Sequence, residues 1–84
     1  MILPFPLLIQ LHGREYRVPP NVLLTLARLG ETIRFPDLGL VLCQDAAGRW
    51  WLKGRGGWRQ GPFKSAARSI RAVIRRRRRR GRKR

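Results

Sequence analysis

Leu7, Ile9 and Leu11 share one face of an extended segment, and Tyr16 and Val18 continue the alternation after His12-Gly13. Period two on both sides of a two-residue turn predicts a β-hairpin of Leu7 to Leu11 and Arg14 to Val18. Pro19-Pro20 ends the second strand, because proline cannot donate to a ladder but is tolerated in the first turn of a helix. The period then lengthens. Val22, Leu23, Leu24, Leu26 and Leu29 predict a helix over Pro20 to Leu29 with Gly30 placed to terminate it. Its apolar positions exceed a single stripe, so the helix is either buried on most sides or lends a face to a partner. Leu24 points away from Leu23, Leu26 and Ala27, which makes it the candidate for a protein interface or a homo-oligomer contact, unless Phe5 of an N-terminal arm covers it.

From Thr32 onward the pattern predicts a β meander. Ile33 and Phe35 alternate with Thr32 and Arg34, Pro36 to Gly39 is turn chemistry, and Leu40 to Gln44 is a strand. Asp45 to Gly48 is a loop, with Arg49 to Lys53 its return partner. Gly54 to Gly57 is expected to be a flexible connection and Trp58 to Gln60 a short last strand. A final helix follows, N-capped by Ser65. Phe63, Ala66, Ala67, Ile70, Val73 and Ile74 face the sheet, and Arg68, Arg71 and Arg75 lie opposite. The fold class is thus a small α+β domain: N-terminal hairpin, short helix, three-stranded antiparallel meander, roughly five strands in all. Its C-terminal helix runs into a disordered arginine-rich tail. The division expected is residues 1–74 for the domain and 75–84 for the tail.

That tail changes the picture most. Nine of its ten residues are basic, and only Gly81 interrupts them. Like charges at i,i+4 oppose helix formation, so Arg75 to Arg80 should fray when free and fold against phosphates, as arginine-rich segments do on RNA. The net charge is +16, and without the tail the body keeps about +7. Such a balance points to a polyanionic partner, and duplex DNA carries one charge per roughly 1.7 Å of axis. Seventeen of the twenty basic residues are Arg, whose planar fork suits phosphates and base edges.

Little else carries chemistry. Cys43 stands alone in the apolar run from Leu40, so it is expected as a buried structural thiol. The apolar N-terminus holds two prolines, has no basic flank and is too short for a transmembrane segment, so it is expected as an extended arm. His12 falls in a turn, and Glu15, Glu31, Asp37 and Asp45 are scattered without a spacing that pairs two on one face. No catalytic, cofactor or metal site is expected, and the protein is expected not to be an enzyme.

Two groups of residues remain as binding candidates. The first is Lys64, Arg68, Arg71, Arg75, Arg76, Arg77, Arg78, Arg79, Arg80, Arg82, Lys83 and Arg84, along the last helix and tail. The second is strand 49–53, which sends Trp50 and Leu52 to one face and Arg49, Trp51 and Lys53 to the other. With Trp50 in the core, Trp51 would lie between cations as a base-stacking platform, extended by Arg55, Trp58 and Arg59. Trp51 as plain core volume is the competing expectation.

The order helix, three-stranded meander, helix from Pro20 to Arg75, with Lys64, Arg68 and Arg71 in the last helix region, resembles the double-stranded-RNA-binding domain. The resemblance implies RNA contact from the start of that helix. It is partial: the first helix is apolar where that family offers a polar face, the length is compressed, and the chain is not assigned to the family. The sequence leads to the expectation of non-enzymatic binding of DNA or RNA, dominated by phosphate contacts and weak in sequence specificity. The alternative is a small inhibitor or assembly factor, of phage type, docking on a nucleoprotein complex or an acidic protein surface. The compartments that follow are the cytoplasm, the nucleoid or a virion interior.

Overall fold

A computed structural model of the chain describes residues 6–82, with side chains through Arg78. The expected arm, including Phe5, therefore lies mostly outside the described residues, as do Lys83 and Arg84. The elements run β1 (Leu7–Leu11), β2 (Arg14–Val18), α1 (Pro20–Arg28), β3 (Ile33–Phe35), β4 (Leu40–Gln44), β5 (Trp50–Lys53), β6 (Arg59–Phe63) and α2 (Ala66–Arg82). The strands form one antiparallel sheet in the order β2-β1-β3-β4-β5-β6. The class is α+β.

Alternation decides which face of this sheet is covered. Leu7, Ile9, Ile33, Phe35, Leu40, Leu42 and Leu52 are buried in one cluster with Leu23 and Ala27 of α1 and Ala66, Ile70 and Val73 of α2. Both helices therefore pack on the same face. The intervening residues, Arg17, Gln10, Arg34, Val41, Cys43, Trp51 and Lys53, take the opposite face. Cys43 is half-buried on that face, opposite Trp51, and not a core thiol as expected. The apolar run Leu40 to Cys43 still obeys the alternation, and only Leu40 and Leu42 point inward.

Trp50 sits at the junction of sheet and helix. Half-buried against the core, it donates its indole N–H to the Ala27 carbonyl at 3.1 Å, in the last turn of α1. Gly30 follows with φ 82°, and a Cβ there would meet the Gln44 side chain at 2.8 Å. Leu24 is half-buried and packs against the core cluster; Val22 of α1 and Leu29, the residue that caps its C-terminus, are exposed large apolar residues.

Three features depart from the sequence expectations. First, the connection at Gly54 to Gly57 holds a hydrogen-bonded 3₁₀ turn, with Gly54 N–H donating to the Trp58 carbonyl at 2.8 Å and Trp58 N–H to the Arg55 carbonyl at 3.2 Å. Second, the last strand runs past Gln60 to Phe63, so the meander has four strands and the sheet six. Gly61 allows this. Its φ is 137°, at an irregularity between Trp50 and Leu52, and a Cβ there would stand 3.0 Å from the Trp50 carbonyl oxygen. Pro62 is tolerated because β6 is an edge strand.

The third departure is the largest. The helical backbone continues through Ile74 and Arg75 to Arg82, where a disordered tail was expected. Arginine has good intrinsic helix propensity, and cations near a helix C-terminus are favoured by its dipole. The anchoring is also tertiary: Val73 is fully buried, and the Arg76 guanidinium lies 4.1 Å from the centroid of the Trp58 ring. Arg77 is half-buried as well. At the other end of α2, the Arg68 N–H donates to Ser65 Oγ at 3.2 Å, which is the expected N-cap. Ser69, the buried polar residue of the helix, donates to the Ala66 carbonyl at 2.7 Å.

Candidate nucleic-acid interface

Helical periodicity sorts the arginines of α2. Ala66, Ile70 and Val73 face the core, so Arg68, Arg71, Arg75 and Arg78 emerge as an exposed stripe with spacings of three, four and three. At about 1.5 Å rise per residue the stripe spans roughly 15 Å, a cation about every 5 Å. That density is of the order of a nucleic-acid strand, which carries a phosphate per roughly 3.4 Å of axis. Lys64 is exposed just before the helix. Arg79, Arg80 and Arg82 continue its backbone, while Arg76 is drawn aside to Trp58.

A second basic surface lies on the uncovered sheet face. Lys53 and Arg59 are exposed neighbours across β5 and β6. Trp51 is on this face, as the alternation predicts, but it is half-buried. Its indole N–H donates to Asp45 Oδ2 at 2.9 Å, and the Arg59 guanidinium covers the ring at 5.0 Å. Arg49 is held by the same carboxylate, Nε to Oδ2 at 3.2 Å, and so is a clamp on the loop before it is a ligand contact. Arg55 sits in the 3₁₀ turn and lines a cleft with Trp58. Arg17 and Arg34 are exposed on this face too and were not singled out from the sequence; their place in the alternation was the available signal.

Asp45 organises the β4–β5 loop. Besides Trp51 and the Arg49 side chain, it accepts from the backbone N–H groups of Ala47 at 2.9 Å and Arg49 at 3.0 Å. These bonds, the Trp51 indole first, lower its pKa from 3.8 to about 2 against a smaller opposing effect of desolvation. A depressed folded-state pKa contributes stability that is present above the unfolded value and lost as pH falls through the folded one. The melting temperature should therefore drop between about pH 4 and pH 2. Asp45→Asn should melt lower at neutral pH and lose part of that acid dependence. An unchanged acid profile in Asp45→Asn would assign the loss to other carboxylates.

His12 Nε2–H donates to Glu31 Oε1 at 3.0 Å, tying the β1–β2 turn to the segment after α1. Among the described residues no group of three or more His, Cys, Asp or Glu side chains could hold a metal ion. No helix among the described residues is long and apolar enough to cross a membrane. Comparison of the chain with family models, with curated proteins and with solved structures finds no match in any of the three.

Proposed function

We propose that this protein binds nucleic acid without catalysing a reaction on it, gripping phosphates along α2 and its extension. The observation that carries this reading is the exposed stripe Arg68, Arg71, Arg75 and Arg78 on a helix whose opposite side is locked into the core. A fixed helix presents its guanidinium groups as an array, whereas a solvated chain would have to be ordered first. The basic residues of the uncovered sheet face, Arg17, Arg34, Lys53 and Arg59, add to the same field. Contacts of this kind fix position on a backbone and read little sequence. Its compartment, on this reading, is wherever that nucleic acid lies, in a cell or inside a virion.

The test is a salt titration of binding to labelled 20-mers of unrelated sequence, single-stranded and duplex. With six to ten phosphates engaged, affinity should fall roughly 10³- to 10⁵-fold between about 50 and 200 mM salt. It should differ little between sequences. Absence of binding at low salt, or binding indifferent to salt, would defeat the proposal. A protein target would instead show as a complex that survives nuclease and high salt, and Val22 and Leu29, in and just after α1, are exposed apolar positions that could meet one.

A further inference from the structure

Trp58 is tied to its own turn and carries a guanidinium over its ring. Its ring rests on the backbone of Gly54, where a Cβ would stand 3.1 Å from Trp58 Cε3. The 3₁₀ turn fixes it there through both of its backbone groups. Arg76 of α2 covers it at 4.1 Å. Beside this pair opens a cleft of about 470 Å³, walled by Trp58, Leu38 and Leu40 and edged by Arg55, Arg76 and Asp37. A smaller one of about 290 Å³ adjoins it, shares Trp58 and Arg76, and adds Arg59 and Arg75.

The larger cleft falls within the volume range of small-molecule sites, and its chemistry is mixed in an informative way. An aromatic plane with aliphatic neighbours suits a flat apolar ring. Two guanidinium groups suit a phosphate. The carboxylate of Asp37 would repel a bare anion but accepts from ring-edge N–H groups. One ligand class satisfies all three, a nucleotide whose base is not paired.

We propose that the cleft between Trp58, Arg55 and Arg76 receives one unpaired base of a bound strand, whose flanking phosphates continue over Arg75 and Arg59. The inference rests on the nucleic-acid reading and adds to it a site that distinguishes unpaired from backbone-only ligands. Arg76 is the moving part. Its guanidinium leaves the ring for a phosphate, and the base takes the vacated face. The exchange replaces a cation–π contact by a charge-assisted pair plus a base–aromatic stack.

The probes are ten-nucleotide oligocytidine strands in ribo and deoxyribo form, and an abasic deoxyribose-phosphate strand of equal length. The wild-type protein should bind a base-bearing strand more tightly than the abasic one by roughly 5- to 150-fold, the value of one stacked base. The tighter of the ribo and deoxyribo strands identifies RNA or DNA as the source. Trp58→Leu should abolish the preference, so that base-bearing and abasic strands bind with equal affinity. Trp58→Phe should keep most of the preference. Because Trp58 also has a packing role, a measurement on the wild-type protein stands beside these variants. The indole N–H resonance of Trp58 should shift with oligocytidine and stay in place with the abasic strand. Equal affinity of wild type for base-bearing and abasic strands, or a base-dependent shift at Trp51 with none at Trp58, would overturn this site and leave the phosphate-binding function intact. Failure of these strands and of the duplex 20-mer alike to bind at low salt would overturn both.

Discussion

Truncation after Ile74 is expected to abolish most nucleic-acid affinity while leaving a folded domain. Among the described side chains of α2 the last fully buried one is Val73, so the cut spares the core. It removes nine basic residues. At roughly 0.9 per phosphate neutralised, nine contacts would set a slope near −8 in log affinity against log salt for duplex DNA, and the truncated protein should retain only a shallow fraction of it. Circular dichroism would report the shortened helix and a preserved sheet. Cutting after Arg78 separates two contributions, because that protein keeps Arg75, Arg76 and the exposed stripe. Its slope should lie between the two. A truncated domain with the full slope would transfer the binding to the sheet face, where Arg17, Arg34, Lys53 and Arg59 would have to supply it.

Trp50→Ala is expected to harm the fold more than Trp51→Ala. The half-buried ring fills the space between β5 and the end of α1, and its indole holds the Ala27 carbonyl. Loss of a large packed ring costs about 3 kcal/mol, at the low end for aromatic truncation given the partial exposure. In a domain of this size that lowers the melting temperature by roughly 15 °C, and total stability of small domains is only about 5–15 kcal/mol. Trp50→Phe restores much of the volume without the donor and should lose about 1 kcal/mol. Trp51→Ala removes a ring on the uncovered face together with its bond to Asp45, and its loss should be clearly smaller. Equal losses at Trp50 and Trp51 would show that the outer ring is as integral to the fold as the inner one.

Much of the fold could be read from the sequence because its determinants are local. His12-Gly13 between alternating runs, Pro19-Pro20 before a helix and Pro36 to Gly39 before a strand each fix a boundary within a few residues. The misreadings share a cause. Gly61-Pro62 looks like the end of a strand unless the irregularity against Trp50 and Leu52 is known, and that involves a neighbouring strand. Arg75 to Arg82 looks disordered if only repulsion along the helix is counted. The ring that receives Arg76 lies eighteen positions earlier in the chain. For the candidate interface, the stripe on α2 and the outward position of Trp51 follow from periodicity alone. That Arg59 covers Trp51, and that Asp45 ties it down, depends on strand pairing and loop closure, which composition and spacing do not encode.

The continuity of α2 makes one element serve two opposed electrostatic demands. Its first half carries core side chains, and its second half concentrates like charge that repels along the same axis. Added salt screens that repulsion, with a Debye length of about 10 Å at 0.1 M, so the free protein should gain thermal stability as ionic strength rises. The same salt loosens the complex with a polyanion. At low ionic strength the relation reverses: the protein is least secure alone and most strongly held by its ligand, which then contributes to folding through linkage. Nucleic acid on this view is a conditional part of the folded state, and the free protein is best handled in the buffers that defeat its binding.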